Sequence, residues 1–275
     1  MILLVASSKD MASLNIAKHI QSHYSFQKKK ETFLENPVYS CEVNRKKVIF
    51  ITLKEELVYA QNLTSFFNDL ELVVFISRHS GASGKPTLSV HTPGNLGKAE
   101  LGGLPRRVSV APATAMKDAL KAMAQFKEEM QLDYAVTYEC THHGPSLDVP
   151  TMFAELGSSE KQWSDSKGAE AVAHGAMEAI SKFNATSRCN AVLGIGGPHY
   201  NERFTRLALK DGVIFGHIIP KYSLSYVDAE ILSQCVEKTV EKVEYAVLDW
   251  KGIRGENKPR LLETLQEVNL RFKKI

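Results

Sequence analysis

The chain opens Met1-Ile2-Leu3-Leu4-Val5-Ala6-Ser7-Ser8-Lys9-Asp10 and continues with Leu14, Ala17, Ile20 and Tyr24 at helical spacing. Residues 2–6 have the length of a strand and no polar alternation, so they read as a strand covered on both faces. Ser8 and Asp10 are of the types that cap helices, so a helix follows at once. This strand–helix unit recurs. Apolar runs at residues 48–53, 72–77, 107–111, 134–141, 191–195, 213–218 and 245–249 read as further core strands, and helical patterns occupy residues 114–130, 168–183, 228–243 and 259–272. Strands alternating with helices predict a three-layer α/β/α sandwich. Residues 38–43 and 47–53, joined by Asn44-Arg45-Lys46, have a hairpin pattern, so an antiparallel pair joins a mixed, mostly parallel sheet. No linker or repeat interrupts the 275 residues, which read as a single α/β domain, 1–275. The stretch from His79 to Leu104 is the least regular part, and loops of that length inside a compact domain are usually functional.

Hydrophobic residues make up 44% and charged ones 24%. That is ample material for a core, and it excludes a disordered chain and a coiled coil. No apolar run approaches the roughly 20 residues needed to cross a bilayer. The first residues also lack the basic segment and apolar length of a signal peptide. Thirty-four Lys and Arg against 31 Asp and Glu leave a net charge of +3, which permits a nucleic-acid partner without requiring one. Cys41, Cys140, Cys189 and Cys235 are scattered, with no C-x-x-C pair. This argues against a disulfide framework or a zinc knuckle and makes a reducing cytoplasm the expected setting.

Histidine placement points to chemistry. His79 follows one strand run, His142 and His143 follow a second in Thr141-His142-His143-Gly144-Pro145, and His199 follows a third in Gly194-Ile195-Gly196-Gly197-Pro198-His199-Tyr200. The carboxyl ends of strands line the ligand crevice of open α/β sheets, so these four imidazoles are expected to share one pocket. His174 reads as solvated and His217 as packed at a strand end; His91 is undecided. Glu155 falls inside the apolar run 152–156, where a carboxylate is paired, a general base or a metal ligand. His79, His142, His143, Glu155 and His199 are thus the candidate catalytic residues. Neutral imidazoles beside a carboxylate are the usual ligands of catalytic zinc, with His142, His143 and His199 as the candidate ligands.

Nucleotide cofactors are not expected. Gly81-Ala82-Ser83-Gly84-Lys85-Pro86-Thr87 has its first glycine too close to the Gly-Lys pair for a P-loop, and His199 stands where a dinucleotide fingerprint needs its third glycine. Most basic clusters, such as Lys28-Lys29-Lys30 and Arg45-Lys46-Lys47, read as solvated charge. Arg78 and Lys85, which flank the His79 loop, and Arg203 and Arg206, which follow His199 at helical spacing, are candidates for gripping a phosphodiester backbone. Trp163 suits either stacking on a terminal base or packing.

Several blocks in order carry a resemblance: Ser77-Arg78-His79-Ser80-Gly81 through His91-Thr92-Pro93-Gly94-Asn95, Glu139-Cys140-Thr141-His142-His143-Gly144-Pro145, Glu155-Leu156-Gly157-Ser158-Ser159-Glu160 with Trp163, and residues 194–200. Together they resemble the D-aminoacyl-tRNA deacylase family of archaea and plants. The resemblance implies a phosphorylase/hydrolase-like fold akin to peptidyl-tRNA hydrolase, association with zinc, and tRNA as partner. The implied activity is hydrolysis of the ester joining a D-amino acid to the terminal ribose of tRNA. Two rival readings stand beside it. His199-Tyr200-Asn201-Glu202 is an H-x-x-E that suits a zinc-dependent peptidase or amidohydrolase, and the basic residues suit a non-catalytic tRNA-binding module. Ser80 and Ser146 are less favoured as nucleophiles, since neither lies in a G-x-S-x-G elbow. Oligomeric state is left open.

Overall fold

The computed structural model describes residues 1–82, 84–186 and 188–275; Ser83, within the glycine–lysine stretch tested as a P-loop, lies outside them. In chain order the elements are β1 (Ile2–Ser7), α1 (Met11–His23), β2 (Gln27–Phe33), β3 (Asn36–Val43), β4 (Lys46–Leu53), β5 (Leu72–Ser80), β6 (Thr87–His91), β7 (Gly94–Asn95) and β8 (Arg107–Val108). There follow α2 (Ala113–Glu129), β9 (Ala135–Tyr138), β10 (Thr151–Ser158), α3 (Glu160–Trp163), α4 (Ser166–Lys182), β11 (Asn190–Ile195) and α5 (Glu202–Asp211). The chain ends with β12 (Phe215–Ile219), α6 (Ala229–Glu237), β13 (Lys242–Leu248), α7 (Lys258–Glu267) and β14 (Phe272–Lys274). Among the described residues no helix is long and apolar enough to cross a membrane.

Eight strands form one sheet in the order β2-β3-β4-β1-β5-β10-β6-β9, and four form a second in the order β12-β11-β13-β14. Seven of the ten pairings in these two sheets are parallel, so the class is mixed α/β with mostly parallel strands. The β3–β4 hairpin turns through Asn44 and Arg45, both at positive φ, as a two-residue turn matched to strand twist requires. Asp10 caps α1 by accepting from the Ser13 N–H.

The two faces of the large sheet are covered differently. Helices α1, α2 and α4 bury one face, and their core continues into β11, α5 and β12 of the second sheet through Val192, Phe204, Ala208 and Phe215. The other face carries Leu3, Val5, Ile49, Ile51, Val73, Phe75 and Phe153, covered by short 3-10 turns at Leu57–Tyr59 and Leu63–Phe66 and by Leu147 and Val149. Around the second sheet the helical layers are complete, since α6 and α7 pack on the side away from α5. A thin cover leaves room that a full helical layer would fill, and the site lies on that face.

Some element boundaries differ from expectation. Only Arg107–Val108 of residues 107–111 is a strand, because the chain then peels off to bridge Pro150 and Thr239. The last two helices are shorter than their patterns, as residues 242–243 and 272 enter parallel strands. Five of the described strands were not expected, β2, β6, β7, β10 and β14, and of these β6 and β10 lie inside the large sheet.

Candidate active site

Four adjacent strands build the site by register. Glu155 on β10 lies opposite Ser77 on β5 and Ser89 on β6, Ser89 lies opposite Thr137 on β9, and Phe153 lies opposite His91. Side chains two residues apart share a face, so Ser77, His79, Phe153, Glu155, Ser89, His91 and Glu139 all project to the thinly covered side. His142 and His143 arrive on the turn after β9, which a Pro93–His142 bridge ties to the end of β6. His199 comes from the loop between β11 and α5, held by a Glu139–Tyr200 bridge and a bond from the Cys140 N–H to its carbonyl.

Glu139 is the hub. One oxygen accepts from Ser89 Oγ and lies 3.0 Å from His79 Nδ1; the other lies 2.8 Å from His199 Nε2 and 3.6 Å from His142 Nε2. Glu155 accepts from Ser77 Oγ at 2.6 Å and faces His79 Nδ1 at 3.4 Å and His91 Nε2 at 3.7 Å. Both carboxylates are buried. Burial alone would favour their neutral forms, yet the imidazoles of His199 and His79 hold Glu139 well below the usual carboxylate range, and His79 and His91 hold Glu155 below it.

The imidazoles divide into two sets. Burial works against the cation of His79, but its bonds to Glu139 and Glu155 outweigh that and push it up to about 11. His199 is likewise opposed by burial and pushed up to about 10 by Cys140 and Glu139. His142 is driven well below its ordinary value and His143 down to about 4, by burial and by neighbouring imidazoles. Nδ1 of His142 lies 2.8 Å from the Cys140 carbonyl, and Nδ1 of His143 lies 2.7 Å from the Gly144 carbonyl. A carbonyl only accepts, so both Nδ1 atoms carry the proton and both Nε2 atoms offer lone pairs. Groups driven to opposite protonation states within one cluster are the mark of divided acid and base roles.

Ring contacts link the five histidines: His79–His199 at 5.6 Å, His199–His142 at 4.5 Å, His142–His143 at 4.2 Å and His142–His91 at 4.3 Å. Four of them, His79, His142, His143 and His199, border a cavity of about 400 Å³ whose wall includes Leu57, Val58, Leu101 and Phe153, together with Asp10, Glu56 and Arg78.

The donor set fits a metal ion. Both ring nitrogens of His91 are buried without a hydrogen-bond partner, and its donors converge with those of His142 and His143. A buried imidazole with no partner is costly unless something unseen satisfies it. Cys140, His142 and His199 form a second convergent trio. The expected ligands His142, His143 and His199 are therefore divided between two trios that share His142, with His91 taking the place of His199 beside His143.

A family model of D-aminoacyl-tRNA deacylases matches residues 66–273. A D-aminoacyl-tRNA deacylase of Pyrococcus furiosus is 36% identical over 98% of both chains. One from Methanocaldococcus jannaschii is 33% identical over 99% of both. The chain belongs to the D-aminoacyl-tRNA deacylase family. A crystal structure of a conserved protein of unknown function shares its fold, with a TM-score of 0.87 at 30% identity over all of this chain and 95% of that one.

In this deacylase-family chain the residues named from sequence fall into two groups. His79, His142, His143, Glu155 and His199 come together, His79 and Glu155 near the ends of β5 and β10 on the sheet face, and His142, His143 and His199 on turns just past β9 and β11. The basic residues do not gather there. Arg78 lines the cavity but pairs with Glu56 at 2.7 Å; Lys85 lies 3.5 Å from the exposed Glu202; Arg203 is held by Asp249 at 2.7 Å, and Arg206 is exposed on α5. Glu202 is exposed beside Lys85 and joins neither donor group that contains His199, so the H-x-x-E of the peptidase reading has no support in the site. Trp163 packs: its Nε1 donates to the His79 carbonyl at 2.8 Å and its ring lies under the Arg78 guanidinium. His217 is a satisfied core histidine, 3.1 Å from Thr141 Oγ1 and 3.0 Å from the Lys238 carbonyl. His174 is exposed on α4. Glu139, His91, Ser77 and Ser89 were not singled out, although a carboxylate inside the apolar run 134–141 carries the same signal that marked Glu155.

Proposed function

We propose that this protein hydrolyses the ester of D-aminoacyl-tRNA, releasing free tRNA and a D-amino acid, and that the Glu139–Glu155 imidazole cluster is the hydrolytic centre. The observation that supports this most is two imidazoles held as cations beside two held neutral, within one cavity. Ester hydrolysis needs both: a lone pair to take a proton from the attacking water, and a positive donor for the carbonyl oxygen. His142, with its Nε2 lone pair free, takes the water proton as the water oxygen bonds to the carbonyl carbon. The cationic ring of His199 stabilises the oxyanion by its positive charge. The proton on His142 then passes to the departing ribose oxygen as the ester C–O bond breaks. Glu139 keeps His199 and His79 cationic and in place.

Zinc, held by His91, His142 and His143, would occupy the His142 Nε2 lone pair and take over its part, supplying a water of lowered pKa. The walls of Leu57, Val58, Leu101 and Phe153 receive the amino-acid side chain, and the carboxylates at the cavity edge receive its α-ammonium group. Chirality is read by exclusion, through a wall that the L side chain would strike.

The test is a time course of ester loss from D-Tyr-tRNA and L-Tyr-tRNA, with protein as purified, after chelation, and after zinc is restored. The expected result is preferential loss of the D ester, slowed by chelation and recovered with zinc. Equal rates on both esters would refute the reading of chirality, and no hydrolysis of either would refute the activity.

A further inference from the structure

A second cavity, of about 310 Å³, adjoins the first across a wall formed by Leu101, His142 and His143, which line both. A molecule reacting at His142 can therefore extend into either one. The second cavity also carries Lys98, Glu100, Tyr222 and Tyr226. The two tyrosines lie on one 3-10 helix, Lys221–Tyr226, and are 56% and 48% exposed. Each ring is nonetheless held in place. The Tyr222 hydroxyl is 3.1 Å from His199 Nδ1 and 3.1 Å from Cys140 Sγ, so the ring is anchored at its polar end. Tyr226 lies against Gly97, where a Cβ would meet the ring at 2.8 Å, and its carbonyl accepts from Arg106.

Exposed aromatic rings held rigid beside a reaction centre, with a cation at the rim, have the character of a stacking platform for a base. In the first cavity the apolar wall is instead Leu57, Val58, Leu101 and the buried Phe153, with no exposed tyrosine or tryptophan among the described residues.

We infer that the second cavity is a purine-nucleoside subsite, in which the terminal adenosine stacks on Tyr222 and Tyr226 and its 5′-phosphate meets Lys98. This rests on the deacylase reading above. It assigns the two cavities to the two sides of the scissile ester: amino acid in the first, nucleoside in the second. Stacking is indifferent to the rest of the tRNA, and every tRNA ends in the same nucleoside, so this recognition serves any tRNA body.

The probe is adenosine 5′-monophosphate, which carries the same nucleoside and phosphate without an ester. It is expected to inhibit D-Tyr-tRNA hydrolysis competitively. Tyr226→Ala is expected to raise both KM and the inhibition constant by a common factor of about 5- to 150-fold, with kcat changed less than about twofold, the fold-range equivalent to losing one stacked base. Tyr226→Trp, which restores a stacking face, is expected to bring both constants back. A wild type not inhibited by millimolar nucleotide, or a Tyr226→Ala loss confined to kcat, would overturn the subsite. A wild type inert toward D-Tyr-tRNA would overturn the activity instead. Calorimetric binding of the nucleotide then decides the subsite alone: binding weakened by Tyr226→Ala supports it, and no binding refutes it.

Discussion

Glu139 gathers more of the site than any other side chain: Ser89, His79 and His199 bond to it, and His142 lies 3.6 Å away. Breaking a buried ion pair from one side costs about 3–5 kcal/mol, because it strands the opposite charge. Glu139→Gln is therefore expected to destabilise the protein by about that amount in urea unfolding and to cut D-Tyr-tRNA hydrolysis by at least roughly a hundredfold. An unchanged unfolding midpoint would contradict the pairing. The histidines were legible because glycine-rich turns follow their strands. Glu139 was not, because it sits inside a run whose other residues are mostly core, and an isolated carboxylate there shows its meaning only when the neighbouring strand supplies an imidazole. His91 stayed undecided for a related reason: without β6 recognised as a strand, nothing fixed which way it pointed.

At the scale of elements, β1, β4, β5 and the β3–β4 hairpin were readable from apolar runs, whereas β6 and β10 were not. Both carry the site's polar residues, Ser89 and His91 on one and Glu155 on the other, and these interrupt the pattern that marks a buried strand. The turn after β9 is packed backbone to backbone: a Cβ on Gly144 would meet Gly103 N at 2.2 Å and Gly102 C at 2.4 Å. Gly144→Ala must push away the segment bearing Leu101, which walls both cavities. It is expected to cost about 1–3 kcal/mol, as overpacking does, and to slow hydrolysis, measured by thermal unfolding alongside deacylation. Wild-type values in both would show that the segment yields freely. His217 in the middle of β12 offers a pH test away from the site. Burial pushes it down to about 4 from 6.5. The unfolded chain then binds the extra proton first, so stability falls as pH drops from 6.5 towards 4, by up to about 3 kcal/mol. The difference in unfolding free energy between wild type and His217→Gln is expected to shrink over that window, and a constant difference would contradict the burial argument.

On the scale of the whole molecule, the site exists because the large sheet is armoured with helices on one face and only thinly covered on the other. Strands β5, β10, β6 and β9 present carboxylates and imidazoles to that thin side, and the second sheet lends His199 across the seam. The fold class and the meeting of the histidines were expected from strand-end reasoning. The face on which they meet was not, since it depends on which elements cover which side, and apolar runs carry no label for that. The central claim is that this cluster hydrolyses the D-aminoacyl ester. Its most direct test is the single-turnover rate of D-Tyr-tRNA hydrolysis by wild type and by His142→Ala, a largely buried position whose loss leaves Glu139 paired with His79 and His199. The account expects rapid ester loss with the wild type and a fall of about 10²- to 10⁴-fold in the folded variant; equal rates for the two proteins would contradict it.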